Sequence, residues 1–426
     1  MSRITTVAYF IVYSLALPAL AFRLMKSPGR VRLRQRFGFG LPQPKAQCIW
    51  LHASSVGEVA LLEPIVEALE RDEPDTPLLI TAFTATGIAT AEQRFPQHSV
   101  YAFPFDYSFA VRRFVRSFGP RLAVIVESEF WPGFLSVMQH LKVPVAILNA
   151  KMSQRSLKAH ARTKFVAQAL RQVAVIATQD AANAARFREL GVDPQRVHVT
   201  GNMKYDLVSP APSAATRATL GIDDDTTVII GGSLHDGESE ALLEAVFVPR
   251  PIGRSVKVLL APRYTEAAGA ICAAAENLGL RSILKSALTQ GAVTGERYDV
   301  CVIDTFGELR SLYSVADVVF VGGSLFDRGS ARGGHNLMEP AICGVPVLFG
   351  PYNYSFAQVA GELRRAGGGS EVRTVTELRE ALLEISSDSH AGARMGAAAR
   401  AVVLAGQGGT ARNLDLVRGL LEQCSH

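Results

Sequence analysis

The sequence predicts an α/β protein made of two doubly wound, parallel-sheet domains. Three observations predict it: short apolar runs alternating with helical stretches from Gln47 onward, a polar interruption at 206–226, and a second alternating series beyond it. At 426 residues the chain is longer than one hydrophobic core normally serves, so two domains are expected. Hydrophobic residues at 48% and charged residues at 19% are the proportions of a well-buried globular protein. A mean hydropathy of +0.17 is high for a soluble chain and points to membrane contact.

Residues 7–22, VAYFIVYSLALPALAF, carry no charge, and Arg23, Lys26, Arg30, Arg32, Arg34 and Arg36 follow. A cleaved leader would carry its charge before the apolar run. Here the charge comes after, which predicts a single membrane anchor over 1–36 with the remainder facing the cytoplasm. A buried core helix is the alternative. Strands are predicted at 48–51, 78–80, 100–103, 122–126, 143–148, 173–177 and 197–200, all rich in Val, Ile and Leu as in a buried parallel sheet. The Pro-, Ser- and Asp-rich stretch 206–226 has little apolar periodicity and marks the boundary between domains at 37–210 and 211–426. The second strand series is predicted at 227–230, 256–260, 300–303, 318–321 and 345–349. A last helix near 411–421 suits packing on either domain, the N-terminal one included. The five cysteines (Cys48, Cys272, Cys301, Cys343 and Cys424) form no CxxC or Cys/His cluster. They read as reduced thiols of a cytosolic protein, and no metal is expected.

Several residues fall where chemistry is expected. In 322–351, a strand, a glycine-rich loop, a helix start and a second strand follow one another, an arrangement that offers backbone N–H groups to a phosphate. Glu339, one turn into that helix, suits two ribose hydroxyls; an ordinary βαβ turn is the plain alternative. Gly231–Glu238, which includes Ser233, follows a strand and is a second glycine-rich turn into a helix, its N–H groups suited to a phosphate. Glu58 follows Gly57 at a strand-to-helix turn, where a carboxylate can take a proton from a hydroxyl or simply sit at a helix dipole. Glu127 and Glu129 follow a strand two residues apart, and would point the same way if the strand continued. Arg263 ends another strand, where a guanidinium suits a phosphate. Lys151, Arg155 and Lys204 suit a phosphorylated ligand or solvent. His235 and His335 are lone histidines, read as structural hydrogen-bonders.

A set of short runs, in order, resembles one family. They are Trp50-Leu51-His52-Ala53-Ser54-Ser55-Val56-Gly57-Glu58, Thr84-Ala85-Thr86-Gly87, Pro104-Phe105-Asp106, Glu127-Ser128-Glu129-Phe130-Trp131-Pro132, Asn149-Ala150-Lys151-Met152-Ser153 and Gly201-Asn202-Met203-Lys204-Tyr205-Asp206. With the 322–351 stretch they resemble the transferases of 3-deoxy-D-manno-octulosonic acid (Kdo). The resemblance implies a GT-B glycosyltransferase: two Rossmann-like domains facing across a cleft, with the lipid A precursor on the first, CMP-Kdo on the second, an inner-membrane location and no cofactor or metal. It implies Glu58 as the base and Glu129, Lys151 and Lys204 on the acceptor side. Ser233, Arg263, Gly307, Glu308, Gly334, Asn336 and Glu339 then face the donor, with Gly307 and Glu308 near the cytosine. Nucleic acid is not an expected partner, because the basic residues cluster beside the apolar N-terminus. The sequence departs from the family pattern at Gly133, at Gln154, at Leu337 and in a longer run over 326–332. A sugar-nucleotide epimerase of the same fold and a non-catalytic membrane-bound homologue are the rival readings.

Overall fold

The computed structural model describes residues 9–11, 13–15, 17–18, 32–42, 47–210, 217–252, 255–289, 298–329 and 333–424. They form two compact units, one running to Leu207 and resuming at Gln407, the other spanning Val208–Gly406.

The first unit holds a seven-stranded sheet in the order β3-β2-β1-β4-β5-β6-β7. Its strands are β1 (Cys48–Ala53), β2 (Leu78–Ala82), β3 (Ser99–Ala102), β4 (Pro120–Val126), β5 (Val145–Ala150), β6 (Val175–Thr178) and β7 (Val197–Val199). Every pairing is parallel. The apolar runs form strands because both faces of the sheet are covered. In β4, Leu122, Val124 and Val126 enter one core layer and Ala123 and Ile125 the other, all nearly inaccessible. Helix α1 (Val56–Asp72) follows β1, and helix α2 (Pro132–His140) follows β4.

The second unit repeats the plan in the order β10-β11-β9-β8-β12-β13-β14. Its strands are β8 (Thr227–Leu234), β9 (Val256–Pro262), β10 (Ser282–Leu284), β11 (Val300–Val302), β12 (Val318–Val321), β13 (Val347–Phe349) and β14 (Gly369–Glu371). Again all pairs are parallel. Helix α3 (Glu238–Phe247) follows β8, and the short helix α4 (Met338–Ile342) precedes β13. Strands β10 and β14 were not predicted. Each is three residues at a sheet edge, half-buried or lacking a branched apolar run, so no hydrophobic pattern announces it.

The last helix, α5 (Gly409–Cys424), packs on the first unit. Leu414, Val417, Leu420 and Leu421 enter the layer formed by α1, β4 and β5. The Asp206 carboxylate accepts the N–H groups of Gly408 and Thr410, each at 2.6 Å, and ties the helix start to the end of the first stretch.

Most of the expected anchor, residues 1–8, 12, 16 and 19–31, lies outside the described residues. The described part of 7–22 is helical. The Tyr9 hydroxyl donates to Asp106 Oδ2 at 2.5 Å, and Tyr13 accepts the Asp106 N–H at 3.1 Å. Among the described residues no helix is long and apolar enough to cross a membrane.

Candidate functional site

In a doubly wound sheet, ligands settle beyond the carboxyl ends of the two strands where the order reverses. In the first unit those strands are β1 and β4. The turn after β1 carries Glu58 in the first turn of α1, where Oε2 accepts the Ser54 N–H at 2.7 Å and Oε1 accepts the Ser55 hydroxyl at 3.1 Å. Ser54 is held in turn from behind: its carbonyl accepts the Thr84 N–H at 2.9 Å and the Thr84 hydroxyl at 3.0 Å. Burial pushes the Glu58 carboxyl up to about 7, against the pull of the Ser54 hydrogen bond, and the negative charges of Glu127 and Glu129 add to the rise. A carboxyl poised there changes protonation at neutral pH, as a general base requires.

Beyond β4 the chain does not continue extended. Glu127 takes a left-handed φ of 63°, rare for a residue with a side chain, so Glu127 and Glu129 part company rather than pointing the same way. Glu127 is buried between the Lys151 and Lys204 ammoniums, at 2.6 and 2.7 Å. Burial alone would push its carboxyl up, but the two lysines hold it below the usual carboxylate range. Both ammoniums are therefore engaged with a protein carboxylate, and Arg155 is the exposed cation of the expected trio. Glu129 Oε2 accepts the Trp131 indole N–H at 2.9 Å and lies 4.0 Å from Nε2 of the buried His52. His52 is fixed by Thr81 through Nδ1, 3.0 Å from the carbonyl, and by stacking on Phe103 at 3.8 Å. His52 was legible only as part of a motif; its place in β1, pointing to one face of the sheet, makes it a neighbour of Glu129.

Gly133 packs against Asp106. A Cβ there would lie 2.5 Å from the Asp106 carbonyl oxygen, because Asp106 caps α2 by accepting the Gly133 and Phe134 N–H groups at 2.8 and 2.6 Å. The glycine is required by that close approach.

In the second unit the order reverses between β8 and β12. The last residues of β8 include Ser233 at a left-handed φ of 55°, and His235 and then Glu238 follow the strand. Glu238, fully buried, accepts four backbone N–H groups: His235 at 2.9 Å, Gly323 at 2.6 Å, Ser324 at 2.9 Å and Leu325 at 2.9 Å. One carboxylate thus sews the loop after β12 to the loop after β8. Sequence reading missed this role, although Gly237-Glu238 repeats the Gly57-Glu58 pairing at the same place after a strand. Arg263 is exposed at the end of β9, its N–H donating to the Leu234 carbonyl at 2.7 Å. The Gly334 N–H donates to the Gly323 carbonyl at 2.7 Å, so it closes the loop instead of facing outward as an anion donor.

Asn336 and Glu339 are brought together, with the Asn336 amide donating to Glu339 Oε1 at 3.1 Å and its carbonyl accepting the Met338 N–H at 3.1 Å. Burial raises the Glu339 carboxyl above the usual range, while Asn336 and Arg310 oppose the rise. Gly307 takes a φ of 82° ahead of Glu308, whose carboxylate accepts the Thr305 hydroxyl and stands 3.8 Å from the Lys285 ammonium. Of the longer run 326–332, residues 330–332 lie outside the described residues. Among the described residues no group of His, Cys, Asp and Glu is arranged to hold a metal.

Residues 31–207 match the sequence family described as 3-Deoxy-D-manno-octulosonic-acid transferase (kdotransferase). The 3-deoxy-D-manno-octulosonic acid transferase of Haemophilus influenzae is 30% identical over 94% of this chain and 94% of its own length. That of Chlamydophila psittaci is 33% identical over 78% of this chain and 77% of its own. Among solved structures, the UDP-GlcNAc 2-epimerase of Neisseria meningitidis covers 89% of this chain and 100% of its own at a TM-score of 0.56 and 12% identity. A glycosyltransferase from Rickettsia africae covers 88% and 99% at 0.55 and 10%. These two likenesses concern the GT-B fold alone, which serves an epimerase and a transferase equally.

Proposed function

Because this chain belongs to the 3-deoxy-D-manno-octulosonic acid transferase family, a glycosyltransferase family, we propose that it transfers Kdo from CMP-Kdo to the lipid A precursor lipid IVA, with inversion at the anomeric carbon. The observation that carries the mechanism is Glu58, a carboxyl held at about 7 at the switch point of the first sheet. An acceptor hydroxyl hydrogen-bonded to Glu58 attacks the anomeric carbon from the face opposite the phosphate. Its proton passes to Glu58 as the new carbon–oxygen bond forms. The bond to the phosphate oxygen breaks and its electron pair leaves with CMP. The Glu127–Lys151–Lys204 cluster and Glu129 fix the charge around the attacking hydroxyl. Arg263 and the turn at Ser233 bear the charge gathering on the phosphate, and Asn336 with Glu339 holds the nucleotide. Gly307 and Glu308 contact the base in this reading.

The same reading attaches the protein to the inner membrane by its N-terminal segment, with both units facing the cytoplasm. The exposed Ile11 and Leu15 beside the helix-borne tyrosines support it. Recovery of the full chain in the soluble fraction of cells without detergent would remove that part. The reaction is tested by mass spectrometry of lipid IVA incubated with the protein and CMP-Kdo. The expected product is heavier by one or more Kdo units, and an unchanged acceptor mass refutes the assignment.

A further inference from the structure

Two histidines a hundred positions apart in sequence meet in the second unit. His235 Nε2 and His335 Nε2 lie 2.9 Å apart, with the rings nearly parallel at 10° and centroids 5.1 Å apart. A nitrogen–nitrogen hydrogen bond holds one proton: one ring donates N–H and the other offers its lone pair. Without a further proton the pair is neutral, its two rings in opposite tautomers. One added proton makes a monocation that keeps the bond, and a second would set N–H against N–H and break it. The pair is therefore built to exist with a charge of zero or plus one.

The place is not incidental. Both histidines leave the strands that flank the switch point, one just after β8 and the other in the loop that follows β12. Gly323, at a φ of 68°, lies against both rings. A Cβ there would come within 2.8 Å of His335 Cδ2 and 3.3 Å of His235 Cδ2, so the loop needs a glycine to pass them. Neither ring is sealed from solvent.

The charged groups facing the pair follow three strands. Asp236 follows β8 in its loop with Glu238 just beyond at the start of α3, Arg263 belongs to the loop after β9, and Arg328 to that after β12; Tyr264 sets its ring edge-on to His235. Burial, aided by His235 and Arg263, pushes His335 down to about 4, and burial with Arg328 and Arg263 also lowers His235. Glu238 opposes this, yet its carboxylate is already surrounded by four backbone N–H groups. Without a ligand, then, two guanidiniums and burial keep the pair neutral. An arriving dianion cancels the repulsion of the guanidiniums and makes the extra proton favourable.

We propose that the His235–His335 pair is a proton-linked anion site, which takes up one proton from solvent as a nucleoside monophosphate dianion settles beside Arg263. The inference rests on the donor-side reading of this unit given above. In balanced form, the neutral pair, one proton and the phosphate dianion become a pair monocation hydrogen-bonded to the phosphate, with no covalent change. By linkage, phosphate binding and protonation then favour each other by the same factor.

Calorimetry of CMP binding to the full chain tests this, in two buffers of different ionisation enthalpy. At about pH 7.5 the phosphate of CMP is already mostly a dianion, so proton traffic reports on the protein. Uptake approaching about one proton per CMP is expected, together with an affinity that weakens by up to roughly tenfold per pH unit above that point. His235→Gln and His335→Gln are expected to bind CMP with uptake near zero and a flatter pH dependence. Binding by the unaltered protein without proton uptake overturns the proposal and leaves the donor site standing, and so does undiminished uptake in both variants. No CMP binding by the unaltered protein overturns the donor-side reading itself.

Discussion

Glu58 and Glu238 occupy the same position in two copies of one plan: each follows a glycine, in the first turn of the helix after the strand beside the switch point. Their surroundings differ. Glu58 accepts one backbone N–H and one hydroxyl, sits near two other acids, and has its carboxyl lifted to about 7. Glu238 is sealed from solvent and accepts four backbone N–H groups. The same residue at the same place carries a carboxyl lifted by burial in one unit and fastens two loops together in the other. Position in a fold brings a carboxylate to the site, and the partners that surround it there decide what it does.

The sharpest way to break this contrast is to remove the acid in each unit. Glu58→Ala is expected to lower transfer by about a thousandfold or more while CMP affinity, read by calorimetry, is unchanged. Near-normal turnover would take the base role from Glu58. Glu238→Ala leaves four buried N–H groups without their acceptor and is expected to destabilise the second unit by about 3 kcal/mol or more, read by denaturant unfolding. Little loss there would make Glu238 an ordinary helix-start acid.

The pH dependence tests Glu58 further. Glu58 works ionised, so kcat/KM is expected to fall roughly tenfold per unit below about pH 7. Its effect on folding has the opposite sign. The folded value lies above the ordinary 4.5, so Glu58 contributes stability below that pH and this contribution is lost as pH rises through about 7. Lys204→Ala removes one of the two cations on Glu127, leaves more negative charge beside Glu58, and is expected to move the acid limb of the profile up by about half a unit. A limb that stays in place would disconnect the lysine cluster from the base. An effect of similar modest size is expected from Arg263→Ala. An exposed guanidinium meeting a phosphate is worth about 1 kcal/mol, so CMP affinity should drop several-fold in calorimetry.

Both sheets were legible because their central strands are buried on two faces and write themselves as unbroken Val, Ile and Leu runs, as in β4 and β12. The edge strands β10 and β14 write no such run. Glu58 was legible from its turn, and its poise was not, because that depends first on how deeply the folded turn buries it and then on Glu127 and Glu129 arriving from β4. The partners of Lys151 and Lys204 were hidden for a related reason: the left-handed turn at Glu127 redirects its carboxylate towards them. His235 and His335 read as unrelated singles because parallel strands bring together residues a hundred positions apart. The loop-closing bond of Gly334 was equally out of reach, since a glycine motif does not say which N–H groups are already occupied.

The return of α5 to the first unit sets an order of completion during synthesis. The second unit is one unbroken stretch, Val208–Gly406, and has every residue it needs once that stretch has emerged from the ribosome. The first unit is started earlier but waits: the face made by α1, β4 and β5 stays uncovered until Leu414, Val417, Leu420 and Leu421 are made. The domain translated first is therefore the last to close, and through that interval the apolar face that α5 will cover is exposed to chaperones and to neighbouring nascent chains.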